Sequence, residues 1–279
     1  MIQSILVGID GSTAARRGLD LALDLATRIE AALRLVHVID LPTFWHPSAE
    51  PHEAAASAAH GGADWARAQL RTLATEEATL VPQAEALCRS RGVPCQAVTI
   101  EGWAPRVLSQ QLSEMHLGVF GRAGRRQDVI GETTGATAQY LLRRADVPIV
   151  LVDRSAPLPR RILLGWDGSP GAQRALVVAA ELSRRTGFEL QVVHVKAGLD
   201  ARSPLDSAKK ALAGDAAVRV SFEDCTGGAY DVLSERVREK PDTLLVLGGR
   251  GHHRLGDLLL GTLTESFHYH STATLLVAR

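Results

Sequence analysis

The chain alternates short apolar runs with stretches of helical period, and it does so twice. Residues 5–9 form the first apolar run, closed by Asp10-Gly11-Ser12. Behind it Ala15, Leu19, Ala22, Ala26 and Ile29 recur at helical spacing. Residues 33–39 and 190–195 read as second strands, and 93–100 and 218–222 as third strands. Residues 117–120 and 243–247 read as fourth strands, each running into a glycine loop, and 149–152 and 275–278 as fifth strands. Residues 65–88 predict a long helix kinked at Pro82. Ser169 before Pro170 predicts an N-cap followed by proline in the first turn. Apolar strands without clean alternation, joined by helices, predict a parallel sheet covered on both faces. The expected class is α/β, doubly wound.

The repetition is literal in places. ILVGIDGS at 5–12 returns as ILLGWDGS at 162–169, an offset of 157. Val36-His37-Val38 returns as Val193-His194-Val195 at the same offset. Gly121-Arg122-Ala123-Gly124 faces Gly248-Gly249-Arg250-Gly251 at an offset of 127, so the second copy is shorter by 157 − 127 = 30 residues. The difference falls on 41–64, rich in Pro, His, Ala and Gly, which reads as a surface excursion. The expected domains are 1–153 and 160–279, joined by the Pro-rich 155–159.

Composition narrows the function classes. Thirty-one cations balance thirty-one anions, so no general field attracts nucleic acid or anionic lipid. No apolar run reaches the roughly 18 residues that a membrane span needs. Three cysteines without a C-x-x-C suggest neither zinc nor a disulfide framework, and the first ten residues do not read as a signal peptide. A cytoplasmic protein is the expectation. Only four cations are Lys, and G-x-x-x-x-G-K-[ST] is absent, which removes the P-loop ATPases. The histidines lack metal-ligand spacing. His37 and His194 read as packed or hydrogen-bonded strand histidines, and Trp103, Trp166 and Phe120 as packing at strand ends.

In such sheets ligands bind beyond the carboxyl ends of the strands, where the strand order reverses. Two features of each copy point there: an aspartate ending strand 1 (Asp10, Asp167) and a glycine loop after strand 4. Helix capping is the rival role for the aspartates. In the second copy Gly248, Gly251 and Gly261 are followed by Thr262 at the start of the last helix. Glycines tolerate positive φ and admit a ligand close to the backbone. Successive N–H groups and a helix N-terminus can hold an anion. A turn-forming role for the same glycines fits the spacing equally well. No nucleophile–base motif and no G-x-G-x-x-G accompany them, so efficient catalysis and dinucleotide chemistry are not expected.

With Asp-Gly-Ser, V-H-V and G-x2-G-x9-G-[ST], the chain resembles the universal stress protein family, as a tandem two-domain member. The resemblance implies two Rossmann-like domains, each with a five-stranded parallel sheet. In one branch of the family it also implies ATP binding, here alone or with Mg2+. It implies that Asp167 and Val195 face the adenosine end, that Leu247 is the apolar residue before the loop, and that Gly248, Gly251, Gly261 and Thr262 hold ribose and phosphates. The first copy offers Asp10, Val38, Gly121, Gly124 and Gly135, but ten residues separate Gly124 from Gly135 and Ala136 replaces the hydroxyl. That makes it the weaker candidate. Arg122, Arg125 and Arg126 read as solvated surface cations rather than as compensation.

The expected function is an ATP-binding stress-response sensor or regulator, with hydrolysis at most slow. A nucleotide-free interaction protein is the rival. Expected partners are an adenine nucleotide and an unidentified protein, with neither nucleic acid nor membrane. The two domains should pair as an internal pseudo-dimer with their last strands meeting. A homodimer of the whole chain is left open.

Overall fold

The computed structural model describes residues 1–39, 78–124, 135–196, 203–249 and 261–279. The excursion at 41–64, Trp45, residues 65–77 of the expected long helix, Gly251, His252, His253 and Arg125–Arg126 lie outside them.

In the first half β1 (Ser4–Ile9) leads through Asp-Gly-Ser into α1 (Thr13–Ile29). Gly11 and Gly168 adopt φ of 78° and 77°, the left-handed conformation that the turn between strand and helix requires. Ser12 caps α1 by accepting from the Ala15 N–H at 3.1 Å. β2 (Ala32–Ile39) follows, then the helix α2 (78–90), β3 (Cys95–Glu101) and α3 (Ala104–Leu112). β4 (Leu117–Gly121), α4 (Ala136–Arg144) and β5 (Ile149–Val152) complete the half. α2 is helical on both sides of Pro82 and ends at 90, two residues later than expected.

The second half repeats the plan. It comprises β6 (Arg161–Gly165), α5 (Pro170–Thr186), β7 (Glu189–Lys196) and α6 (Leu205–Leu212). β8 (Val220–Thr226), α7 (Ala229–Glu239), β9 (Thr243–Gly248), α8 (Thr262–His270) and β10 (Thr274–Ala278) follow. Ser169 caps α5 by accepting from Ala172 N–H at 3.1 Å, with Pro170 in the first turn.

Within each half every strand pairing is parallel, and the order is 3-2-1-4-5 and its mirror. The halves meet through β5 and β10, which pair antiparallel with Val150 opposite Leu276. One sheet of ten strands results, in the order β3-β2-β1-β4-β5-β10-β9-β6-β7-β8. Its two faces are covered separately. One core joins α1 and α5 through Leu21, Leu25, Leu176 and Leu182; the other joins α3, α4, α7 and α8 through Leu112, Leu141, Leu233 and Phe267. Each such side chain contributes roughly 1.5–3 kcal/mol on burial. Among the described residues no helix is long and apolar enough to cross a membrane.

One packing expectation is corrected. Trp103 is 45% exposed and meets Tyr140 edge-on at 5.1 Å instead of sealing a strand end. Its place at the N-cap of α3 holds it at the rim. Trp166 and Phe120 are buried. The two strand histidines donate to the backbone, as expected, His37 Nδ1–H to Ile9 O at 2.9 Å and His194 Nδ1–H to Trp166 O at 2.8 Å.

Candidate functional site

The order 3-2-1-4-5 reverses between β1 and β4, so their carboxyl ends diverge and leave a crevice. In the first half a cavity of about 190 Å³ occupies it. Asp10, Val38, Gly121, Gly124 and Gly135 all line it, drawn from β2, from β4 and from the connections that follow β1 and β4. The walls are mostly apolar: Val36, Leu108, Ala104 and Phe120, with Ala136, Thr137 and Ala138 from the start of α4. Leu108 and Ala104 belong to α3, and no motif marked them; only helical period beside a strand end could have.

Asp10 does two things at this site. One carboxylate oxygen accepts from the Ser12 N–H at 2.9 Å, which shapes the turn, and the residue also borders the cavity. Asp167 makes the same bond to Ser169 N–H at 2.9 Å and is exposed. The serines, not the aspartates, cap the helices.

The loop glycines serve differently from the expectation. None of the described loop glycines has a positive φ; Gly135 sits at −98° and Gly261 at −64°. A Cβ on Gly121 would stand 2.8 Å from Ala15 N, and one on Gly248 only 2.5 Å from the Gly171 carbonyl carbon. These two glycines let a strand end press against the N-terminus of α1 or α5. Gly135 differs, because its Cβ would meet nothing closer than 3.5 Å.

Both loops are closed at the base by the same pair of backbone bonds. Arg122 N–H donates to Val152 O at 2.8 Å, and Gly135 N–H to Arg122 O at 2.8 Å. Gly249 N–H donates to Ala278 O at 2.7 Å, and Gly261 N–H to Gly249 O at 3.2 Å. In the second half Thr262 begins α8 and is exposed, Leu247 is buried, and Val195 lies half-buried in β7. Thr264 Oγ1 donates to Gly248 O at 3.1 Å and ties α8 to the end of β9. The structure thus sets Asp167, Val195, Gly248, Gly261 and Thr262 at the ends of β6, β7 and β9 and the start of α8.

A family model for the universal stress proteins matches residues 1–153 and again 159–224. The chain belongs to the universal stress protein family. Among its relatives, a universal stress protein of Mycobacterium tuberculosis is 26% identical over 301 positions, spanning 99% of this chain and 96% of the relative. A universal stress protein of Synechocystis is 22% identical over 275 positions, 94% and 95% of the two chains. A solved universal stress protein from Archaeoglobus fulgidus superposes with a TM-score of 0.74 over 99% of this chain and 98% of its own, at 17% identity. That likeness establishes the Rossmann-like tandem fold.

Arg122 is the main correction to the site of this universal stress protein. It is 1% exposed, not a solvated cation. Its guanidinium leaves the crevice and crosses into the second half, where it donates to Phe267 O, His268 O and Ala273 O. Burial pulls its pKa down to about 10, against the pull of Asp153. His268, also fully buried, is held down to about 4 by burial first and by Arg122 and Arg143 next. The alignment of the copies carried a signal: Arg122 faces Gly249, so a cation stands where the other copy has no side chain. Among the described residues no group of three or more His, Cys, Asp or Glu side chains is placed to hold a metal ion.

Proposed function

We propose that the chain is a nucleotide-binding member of its family, taking ATP at the carboxyl ends of the strands, with the second half as the main site. The observation that carries the reading is the first-half cavity, bounded by all five positions expected there. Its apolar walls and single carboxylate suit the base and ribose end of an adenine nucleotide. Its volume is below the roughly 300 Å³ of a common ligand pocket, so the phosphates would run out along the loop. The second half repeats the same backbone frame and adds Thr262 at a helix N-terminus, where N–H groups and the helix dipole favour phosphate. Asp167, Val195, Leu247, Gly248, Gly251, Gly261 and Thr262 are the residues assigned to it. The role is that of a cytoplasmic sensor or regulator, in which the bound nucleotide alters the surface offered to a protein partner.

One observation favours a second reading, a nucleotide-free interaction protein. The packing of Gly121 and Gly248 against helix backbones accounts for both glycines without any ligand.

Denaturing the purified chain and quantifying released nucleotide, followed by calorimetric titration with ATP, separates the two. About one ATP per chain supports the second-half site. A micromolar site corresponds to roughly 8 kcal/mol, tight enough to follow by heat. Silence at millimolar ATP sinks the nucleotide reading.

A further inference from the structure

The last helix of each half has its two ends in different hands. α8 starts at the base of the second glycine loop, fixed there by the Gly261 N–H to Gly249 O bond and by Thr264 to Gly248 O. Its far end is held by the first half. Arg122, the first side chain of the first glycine loop, donates through Nη1 to Phe267 O at 2.8 Å and to His268 O at 2.7 Å. Its Nη2 donates to Ala273 O at 2.5 Å. The first two are carbonyls of the last helical turn, which no intrahelical N–H can reach. A cation there also meets the negative end of the helix dipole. The backbone of the same residue belongs to the first crevice, because its carbonyl accepts from Gly135, the N-cap of α4.

The arrangement is reciprocated from a different position in the chain. Arg279, just past β10, donates to Ala145 O at 3.3 Å, at the C-cap of α4. Its stem rests on the second loop, since a Cβ on Gly249 would lie 2.8 Å from Arg279 Cγ. The N-terminus of α4, Gly135 to Ala138, walls the first cavity. Each arginine therefore stands at one loop and grips the helix that forms the other crevice. A helix of nine residues is a rod of roughly 13 Å, so a shift at one end is felt at the other.

We infer that Arg122 is a positioning residue for the second crevice, and Arg279 for the first, so that the two crevices are coupled through crosswise-held helices. The inference rests on the reading of the crevices as ligand sites. A ligand that shifts the Arg122 backbone, bonded to Val152 and Gly135 at the first crevice, moves its guanidinium and with it the frame of Thr262. Linkage then requires the second occupant to change the first site's affinity by the same factor.

The test uses the full chain with Arg122→Gln, Arg122→Lys and Arg279→Gln, followed by amide hydrogen exchange. The reporters are Gly261 and Glu265, whose N–H groups donate to Gly249 O and Gly261 O at the opposite end of α8 from Arg122. Arg122→Gln is expected to speed their exchange at least tenfold while β7 stays unchanged, with Arg122→Lys in between. Should Arg122→Gln not fold, Arg279→Gln carries the same test at Gly135 and Gln139, the matching amides of α4. Unchanged reporters, or equal acceleration over the whole chain, overturn the inference. ATP titration of the same variants is expected to show at least a fivefold loss of affinity. If the unsubstituted chain binds no ATP, the ligand reading falls, and the exchange result still decides the role of Arg122.

Discussion

The two halves share a backbone and differ in what their side chains do with it. Each has a strand-1 aspartate bonded to the serine two residues on, a strand-4 glycine pressed against a helix N-terminus, and the same two backbone bonds closing the loop. On that common frame the first half has Ala136 where the second has Thr262, Arg122 where the second has Gly249, and Leu142 where the second has His268. The first crevice is a bounded cavity with Ala136, not a hydroxyl residue, at the first helical position and Thr137 one residue further on. The second has the hydroxyl, and its last helix is gripped from outside by the first half's arginine. Duplication preserved the parts that pack. The divergence lies in the side chains that face a ligand or the junction between halves.

The largest expected effect tests whether the second half is the main site. On the proposed reading, Asp167→Ala combined with Thr262→Ala would remove two polar contacts to a charged ligand, each worth roughly 1.5–3 kcal/mol. Affinity for ATP should fall about 100-fold or more by calorimetry. If it holds, the first half is the true site.

Glycine packing offers the next contrast. Gly248→Ala forces a methyl to 2.5 Å from the Gly171 carbonyl carbon and should cost about 3 kcal/mol in a denaturant melt. Gly135→Ala, with 3.5 Å of room, should cost under about 1 kcal/mol. Its effect should show instead on whatever occupies the first cavity. Equal losses for the two would remove the distinction between packing and ligand-facing glycines.

The junction carries a pH dependence that only the second half supplies. His268 has a folded pKa of about 4, below the ordinary 6.5 of an unfolded chain. The neutral form is the one that fits, so its contribution to stability is present above pH 6.5 and is lost as pH falls through 6.5 toward 4. The loss below pH 4 amounts to about 3 kcal/mol. Both ring nitrogens lack hydrogen-bond partners, and the first half uses a buried leucine at the matching place. His268→Leu should therefore flatten the stability profile between pH 4 and 6.5. A variant with the parent's slope would show that other groups drive it.

The smallest effect asks whether the first crevice can be made to resemble the second. Ala136→Thr restores the hydroxyl at the start of α4 and should strengthen nucleotide binding there by about 1 kcal/mol. Stoichiometry of released nucleotide checks it. No gain would put the deficit in the extra residue between Gly124 and Gly135.

Much of this was legible in the chain. Helical period, the Ser-Pro cap and the repeated Asp-Gly-Ser mark elements because each is a local or short-range preference of the backbone. Asp10 was marked by its place at a strand end, and Val38, Gly121, Gly124 and Gly135 by the family resemblance and the repeat; all five line one cavity. Arg122 was misread because nothing nearby in sequence marks an arginine whose partners lie 145 to 151 residues away. The reason for Gly121 and Gly248 was also missed, since a clash with a helix backbone exists only once strand and helix are packed.

By itself the sequence determined two α/β halves, a five-stranded parallel arrangement in each through the family pattern, and the ends of the strands where a ligand would sit. These follow from hydrophobic period, turn chemistry and internal repetition, all of which act over tens of residues. The sequence also suggested that the last strands meet, but the tertiary structure alone decided that they pair antiparallel to make one ten-stranded sheet, and that the second half's last helix is held by the first half's arginine. Those features depend on the antiparallel meeting of β5 with β10, a contact between segments more than a hundred residues apart whose apolar patterns are alike. Burial of Arg122 follows from that meeting, because only the assembled pair surrounds its guanidinium with carbonyls instead of water.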